Sequence, residues 1–329
     1  MTVSTSHRLD GLEPDNLLAF LALLGLLRGL ELIRPEWRPR AYWEVKKAPL
    51  RPILTTQVPT APEEIYRTSL EGLLIFRDAL RPFSWPRSKQ GNAKKTALVV
   101  DQSHQRRLSK RCVFALSSCT PDQRKRLVWQ LRCDLLASSG ASRMDPKKRE
   151  VFDATPMKLP SGQMSFIGAQ FDTISACKAE DICNSLFKAW SCGHKGNSLR
   201  FSPDEARRYA YRASDPSPEG SRTELGATAL SGLGLLSFTM SEAQPHWRMV
   251  AYTGRRSEGK IGWPIWDAEN GSGASLQTIV AMLRALTFEN RQDAAICNMV
   301  CMIATAKRYV LDPNQGDYGN VTRAELSFM

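Results

Sequence analysis

Side chains equipped for chemistry form few groups in this chain of 329 residues, and each group fails a spacing test. Gly254-x-x-x-x-Gly259-Lys260 opens like a phosphate-binding loop. Such a loop needs a Ser or Thr after the lysine to hold magnesium, and a helix to continue from it. Ile261 follows instead, and Trp263-Pro264 bars a helix, so the spacing predicts no nucleotide hydrolysis there. Cys177, Cys183, Cys192 and His194 are the one set with metal-ligand character, but C-x5-C-x8-C-x-H lacks the short knuckle of structural zinc sites. They read as core or surface thiols. Cys297 and Cys301, one helical turn apart, read as a small apolar face. None of the eight cysteines forms a C-x-x-C pair, and a chain this long needs no disulfide staples, so reduced thiols are expected. His7, His104, His194 and His246 give neither an HExxH nor an HD pair, and no GxSxG marks a serine nucleophile. The expectation is no enzyme, no metal and no cofactor. The one catalytic alternative is a metal-dependent nuclease built from dispersed acids such as Asp153, Asp172 and Asp215.

Charge is the stronger signal. Lys and Arg number 45 against 33 Asp and Glu, a net charge of +12. Residues 1–80 balance at 10 and 10, and residues 161–329 at 17 and 17. Residues 81–160 carry 18 basic side chains against 6 acidic ones, so the whole excess sits in one segment. Concentrated positive charge repels itself and attracts polyanions through a field that salt weakens. The segment therefore predicts contact with nucleic acid, the alternative being a solvated surface. Candidate contacts are Lys94, Lys95, Arg106, Arg107, Lys110 and Arg111, then Arg124, Lys125 and Arg126, then Lys147, Lys148 and Arg149. Arg124, Lys125 and Arg126 fall at the start of a predicted helix, where cations oppose the helix dipole. A bound phosphate would favour that placement.

The elements that would position these groups follow from periodicity. Residues 16–33 read as a core helix apolar nearly all round, capped by Asp15 and stopped by Pro35 and Pro39. Ala41–Val45 reads as a strand, and 49–62, with four prolines, as an extended loop. Pro62–Leu80 reads as an amphipathic helix. Residues 84–95 read as an exposed basic loop, and Thr96–Val100 and Cys112–Leu116 as short β-prone runs. Thr120 as N-cap and Pro121 at the first helical position predict a helix to about Ser138, with Leu127, Leu131 and Leu135 toward the core. Residues 141–150 read as a further basic loop, Met164–Phe166 as a strand and Ile174–Ser191 as a helix. Leu225–Leu236 reads as a small-residue helix suited to close packing. Trp247–Thr253 and Lys260–Trp266 read as a hairpin with GRRSEG at its tip, and Ser275–Leu286 and Asp293–Tyr309 as closing helices. The fold class is α+β, helix-rich with small antiparallel sheets or hairpins. Its parts are an N-terminal helical part of the core at 1–80, a basic insertion-like segment at 81–160, and an α+β part of the core at 161–329. Leu21 and Leu24-Gly25-Leu26-Leu27 are echoed by Leu230 and Leu233-Gly234-Leu235-Leu236, an echo that helix packing alone can produce. No run approaches a membrane span, and the apolar run Leu17–Leu27 lacks the basic leader and cleavage site of a signal peptide, so a cytoplasmic location is expected.

Three segments resemble CRISPR-associated proteins of type I-G loci, formerly type I-U. They are LDGLEPDNLLAFLALLGLLRGLE at 9–31, SLRFSPDEARRYAYRASDPSPEGSRTELGATALSGLGLL at 198–236, and WPIW at 263–266, with weaker support from SGQMSF at 161–166. Residues 81–160 are largely unmatched. The resemblance implies either the large subunit of an RNA-guided surveillance complex or the small family named as an extension of the helicase–nuclease. In such complexes base pairing reads the sequence, while protein holds backbone and reads a short flanking motif. Partners would be target DNA, guide RNA, other CRISPR-associated subunits and the helicase–nuclease. Arg255 and Arg256, at the predicted hairpin tip, become candidates for reaching base edges, against a solvated turn. Arg207 and Arg208 join Arg200 and Arg212 as backbone contacts, or else as structural ion pairs with Asp204 and Glu205.

Overall fold

A helix with leucine on every face has to be enclosed. The computed structural model, which describes residues 5–81, 84–85, 97–98, 122–144, 147, 150–159, 166–196, 198–205, 222–243, 246–256, 258–268, 273–285, 299–310 and 319–328, encloses it. Every residue from Leu17 to Leu27 of Leu17–Ile33 (α1) is buried. The other described α-helices are Pro62–Leu80 (α2), Gln123–Ser139 (α3), Phe166–Ala176 (α4), Ala179–Phe187 (α5), Leu225–Leu235 (α6) and Leu276–Ala285 (α7), of which α6 and α2 make the main contacts with α1. Among the described residues no helix is long and apolar enough to cross a membrane.

Glycines set how closely these helices approach. A Cβ at Gly25 would lie 1.9 Å from Leu230 O, and one at Gly234 would lie 2.0 Å from Leu21 O. The partner number rises along one helix as it falls along the other, so α1 and α6 run antiparallel with backbone against backbone. This contact joins the two echoing leucine–glycine runs. On another side, a Cβ at Gly72 of α2 would lie 2.8 Å from Gly29 Cα of α1.

The strands are antiparallel throughout. Thr5–Arg8 (β1), Arg40–Trp43 (β2) and Pro52–Thr56 (β3) form a sheet of order β1-β3-β2. Small two-stranded pairs follow: Ser84–Trp85 (β4) with Ala97–Leu98 (β5), Gly140–Met144 (β6) with Glu150–Ala154 (β7), His194–Lys195 (β8) with Arg222–Thr223 (β9), and Met240–Ala243 (β10) with His246–Met249 (β11). Tyr252–Thr253 (β12), Lys260–Trp266 (β13), Val300–Val310 (β14) and Gly319–Val321 (β15) make the largest sheet, with Glu325–Phe328 (β16) also on β14. The fold is α+β, helix-rich with small antiparallel sheets.

Several expectations need correction. The N-cap of α1 is Asn16, whose side chain accepts from Leu18 N–H at 3.0 Å and donates to Ser202 Oγ at 3.2 Å. Asp15 is committed to Arg323 instead. Within the expected loop 49–62, Pro52–Thr56 is the central strand of its sheet, and Pro52 opens it, where a missing N–H is tolerated. Asp122, and not Thr120, caps α3. The expected basic loop 141–150 is largely the β6–β7 hairpin, because Ala141 and Val151–Phe152 have apolar surface to cover. Phe166 begins a helix rather than ending a strand. The single helix expected at 174–191 is broken at Cys177–Lys178, where the Lys178 N–H is taken by the Asp181 carboxylate to start α5. The expected 247–253 strand divides, since His246–Met249 pairs with β10 and only Tyr252–Thr253 pairs with β13. The closing helix at 293–309 is, from Val300 on, the long central strand β14. The runs at 84–95 and 112–116 lie almost wholly outside the described residues.

Residues 9–31, 198–236 and 263–266 meet one another in the core. Trp263 is fully buried, stacks on Phe20 with centroids 5.6 Å apart, and donates from Nε1 to Pro14 O at 3.0 Å. Trp266 stands edge-on to Trp43 and donates to Ala41 O at 2.7 Å. Buried indole N–H groups need such acceptors, and these fix both rings in orientation. Arg323 donates to Glu13 at 2.8 Å, to Asp15 at 2.9 Å and to Asp204 at 2.8 Å, joining the first and second segments.

Candidate nucleic-acid interface

The N-terminal turn of α3 carries the described cluster Arg124, Lys125 and Arg126 of the basic segment. Asp122 accepts from Lys125 N–H at 3.1 Å, and its carboxylate lies 3.5 Å from Lys125 Nζ. Arg124 Nη2 donates to Asp78 Oδ2 of α2 at 2.8 Å. These two acids offset the unfavourable cation placement, so no phosphate is required to explain it. Both cations remain mostly exposed, at 62% and 70% of their side-chain surface. Exposed pairs of this kind contribute about 0–1 kcal/mol. Phosphate contact can therefore replace them at little cost.

Arg126 turns the other way, into a cleft of about 830 Å³ between α1, α3 and α7. Each helix lends one stripe at helical spacing. From α3 come Gln123, Arg126, Leu127 and Gln130; from α7 come Gln277, Val280, Ala281 and Arg284; from α1 come Arg28, Glu31 and Leu32. Arg126 and Arg284 are exposed, and among the described residues neither has an ion-pair partner. Arg28 sits deeper, donating to Asp134 Oδ2 at 2.8 Å and to Ser237 Oγ at 3.3 Å. Its buried Nε–H has no acceptor. Burial works against the Arg28 charge, with Asp134 and Glu31 opposing that effect. Burial raises the pKa of the Glu31 carboxyl, and Arg28 pulls it back. The cleft thus combines three guanidinium groups, one of them paired with Asp134, three amides, the Glu31 carboxyl and an aliphatic floor. Its two cations left unpaired among the described residues suit an anion that also carries a flat apolar face.

The hairpin tip is a second, smaller feature. Gly254, at φ 91°, makes the turn. Tyr252 Oη lies 2.9 Å from Arg255 O and 3.1 Å from Arg256 O, its one proton shared between them, and the buried Arg308 also donates to Arg256 O. The tip backbone is braced from within while the Arg255 side chain is exposed; Arg256 is half-buried. Lys147 is exposed at the β6–β7 turn.

Lys94, Lys95, Arg106, Arg107, Lys110, Arg111, Lys148, Arg149, Arg207 and Arg208 lie outside the described residues. Sequence reading found Arg126 through its charged neighbours but missed Arg28 and Arg284, which stand alone among apolar residues. The i, i+3, i+4, i+7 stripe 277, 280, 281, 284 was the available signal. Asp204 and Glu205 do serve structure: Asp204 pairs with Arg323, and fully buried Glu205 meets Ser198 and Thr223. Among the described residues no three His, Cys, Asp or Glu side chains converge as metal ligands, and Cys177 and Cys183 are free thiols. Burial pushes the Cys177 thiol pKa well up, away from thiolate chemistry. Asp153 is held by Arg143 in the β6–β7 hairpin, and Asp215 lies outside the described residues. Comparison with protein-family models, curated proteins and solved structures finds no match.

Proposed function

We propose that this chain is a non-catalytic nucleic-acid-binding subunit of a type I-G CRISPR RNA-guided DNA surveillance complex, contacting target DNA and guide RNA beside other complex subunits. The observation that carries the nucleic-acid part is the excess of twelve positive charges confined to residues 81–160, one of which, Arg126, shares the cleft with Arg284. Assignment to a type I-G complex rests on the resemblance of residues 9–31, 198–236 and 263–266 alone. Arg255 at the braced hairpin tip is the residue best presented to reach a base edge or the flanking motif. A second reading, an adaptor that docks the helicase–nuclease, is favoured by the exposed Leu326 and Phe328 on β16, apolar surface of the kind a protein partner covers.

Titrating the isolated protein with labelled DNA and RNA at several salt concentrations tests the first reading. Affinity should fall steeply with salt, each phosphate contact adding about 0.7–0.9 to the slope of log affinity against log salt. Replacing Lys94, Lys95, Arg106 and Arg107 with glutamine should shallow that slope and leave the melting temperature unchanged. A flat salt response, or a quadruple variant that melts early but binds normally, would remove this account. The protein should also show no nuclease or ATPase activity. Turnover that survives repurification and is lost in Asp153→Asn or Asp172→Asn would establish an enzyme instead.

A further inference from the structure

The α1–α3–α7 cleft differs from a merely basic surface because its floor is aliphatic. Leu32, Leu127 and Val280 are partly exposed there, between Arg126 and Arg284. A duplex turns its sugar-phosphate rails outward and keeps its base faces stacked inside, so it would leave that floor uncovered. A single strand presents phosphate and base face together, and proteins hold it by pairing a cationic track with an apolar platform. The volume of about 830 Å³ falls within the range of about 300–1,000 Å³ that encloses small ligands, the scale of nucleotides rather than of a double helix.

Building on the nucleic-acid reading above, we propose that this cleft is a single-strand site. Phosphates lie against Arg126 and Arg284, and base faces lie on Leu32, Leu127 and Val280. The amides of Gln123, Gln130 and Gln277 each offer donors and an acceptor to base edges. Arg28 is paired with Asp134 and faces Glu31, so the positive potential of the cleft comes from Arg126 and Arg284. With no aromatic side chain in the lining, stacking is weak and the phosphates dominate. Sequence preference is correspondingly slight.

The test uses the full chain, a fluorescein-labelled thymidine strand of ~12 residues, and the matching duplex. In the variant Arg126→Gln/Arg284→Gln, strand affinity should fall about tenfold or more and the salt slope should drop by about 1.4, two contacts at ~0.7 each. Duplex affinity should change less than about twofold, since its contacts lie on other basic surfaces. Ala281→Trp, which fills the cleft from an exposed position without altering charge, should weaken the strand equally at unchanged melting temperature. Unchanged strand binding in both variants overturns the site while leaving nucleic-acid binding intact. Equal losses for strand and duplex overturn the single-strand assignment, as does ready displacement of the strand by thymidine monophosphate. Binding of neither probe by the wild type overturns the nucleic-acid reading, and the site with it.

Discussion

Gly25→Ala is expected to lower the stability of the protein by about 3–5 kcal/mol. Two effects of opposite sign compete in this substitution. Alanine in a helix interior gains about 1 kcal/mol over glycine. Against this, the new methyl would sit 1.9 Å from Leu230 O, where real Cβ contacts are never under 3.0 Å. The obstacle is helix backbone, which cannot rotate aside as a side chain can. Relief requires α1 and α6 to separate by about an ångström along a contact packed with leucine on both sides, and overpacking alone costs about 1–3 kcal/mol before those contacts are lost. A net cost of about 3–5 kcal/mol is expected, a large part of the about 5–15 kcal/mol that holds a domain folded. Gly234→Ala meets Leu21 O at 2.0 Å and should cost as much. Because either change opens the same gap, the double variant should cost clearly less than the two single costs added together. Urea unfolding midpoints of the three variants measure this. A midpoint within error of wild type for Gly25→Ala would mean that the helices do not touch through their glycines.

That contact also marks how far sequence reading reaches. α2 and α7 declare themselves by apolar period, and their bounds in the structure match within a residue or two. The leucine–glycine echo announced close helix packing without saying that each run was the other's partner. Readings failed where a residue's partner is distant in the chain. Asp15 has the chemistry of an N-cap, but Arg323, 308 positions away, claims its carboxylate, and Asn16 takes the role. Residues 300–309 have a composition that serves helix or strand. They become strand because β13 lies alongside, pairing Trp263 with Ala304 and Ile265 with Met302. Site residues follow the same rule: clustered Arg124–Arg126 are visible in sequence, while Arg28 and Arg284 gain meaning only when three helices bring them to one cleft.

The resemblance and the charge bear on different questions. Trp263, Trp266, Pro14, Asn16, Ser202 and Asp204, all within residues 9–31, 198–236 and 263–266, are spent on the core or on the Arg323 cluster. These residues hold the scaffold together, since buried indoles need their acceptors and bridged carboxylates need their cation. Contacts with a polyanion have to come from side chains the scaffold leaves exposed. Arg126, Arg284, Arg255 and Lys147 are of that kind. Substitutions in the two sets should separate accordingly, the first lowering stability and the second lowering affinity at constant stability.

Folding stability is expected to decline between about pH 5 and pH 8 through one buried carboxyl, and Glu205→Gln should abolish that part of the decline. Glu205 is fully buried, and desolvation raises its pKa from 4.5 to about 7, against the opposing influence of Ser198, Thr223 and Arg200, while Asp204 adds to the rise. Hydrogen bonding points the same way. Thr228 Oγ1 donates to Glu224 O at 2.9 Å, so its proton is committed. Thr223 Oγ1 then has one proton for two neighbours, Glu205 Oε1 at 2.5 Å and Thr228 Oγ1 at 2.6 Å. A proton on Glu205 supplies the missing donor. The sign follows from linkage: between the unfolded value of 4.5 and the folded value of about 7, the native state binds more protons than the unfolded chain. Stability from this group is complete below pH 4.5 and is lost as pH rises through 7, by about 3 kcal/mol in all at about 1.4 kcal/mol per unit. Glutamine reproduces the protonated acid, with one donor toward Thr223 and one acceptor toward Ser198. Urea unfolding of both proteins across that pH range should therefore give similar stabilities near pH 5 and a glutamine variant more stable by roughly 3 kcal/mol near pH 8. Curves that stay parallel across the range would show that Glu205 is already ionised in the folded protein at the acid end. The buried chain of hydroxyls would then be donating to a carboxylate instead of receiving its proton.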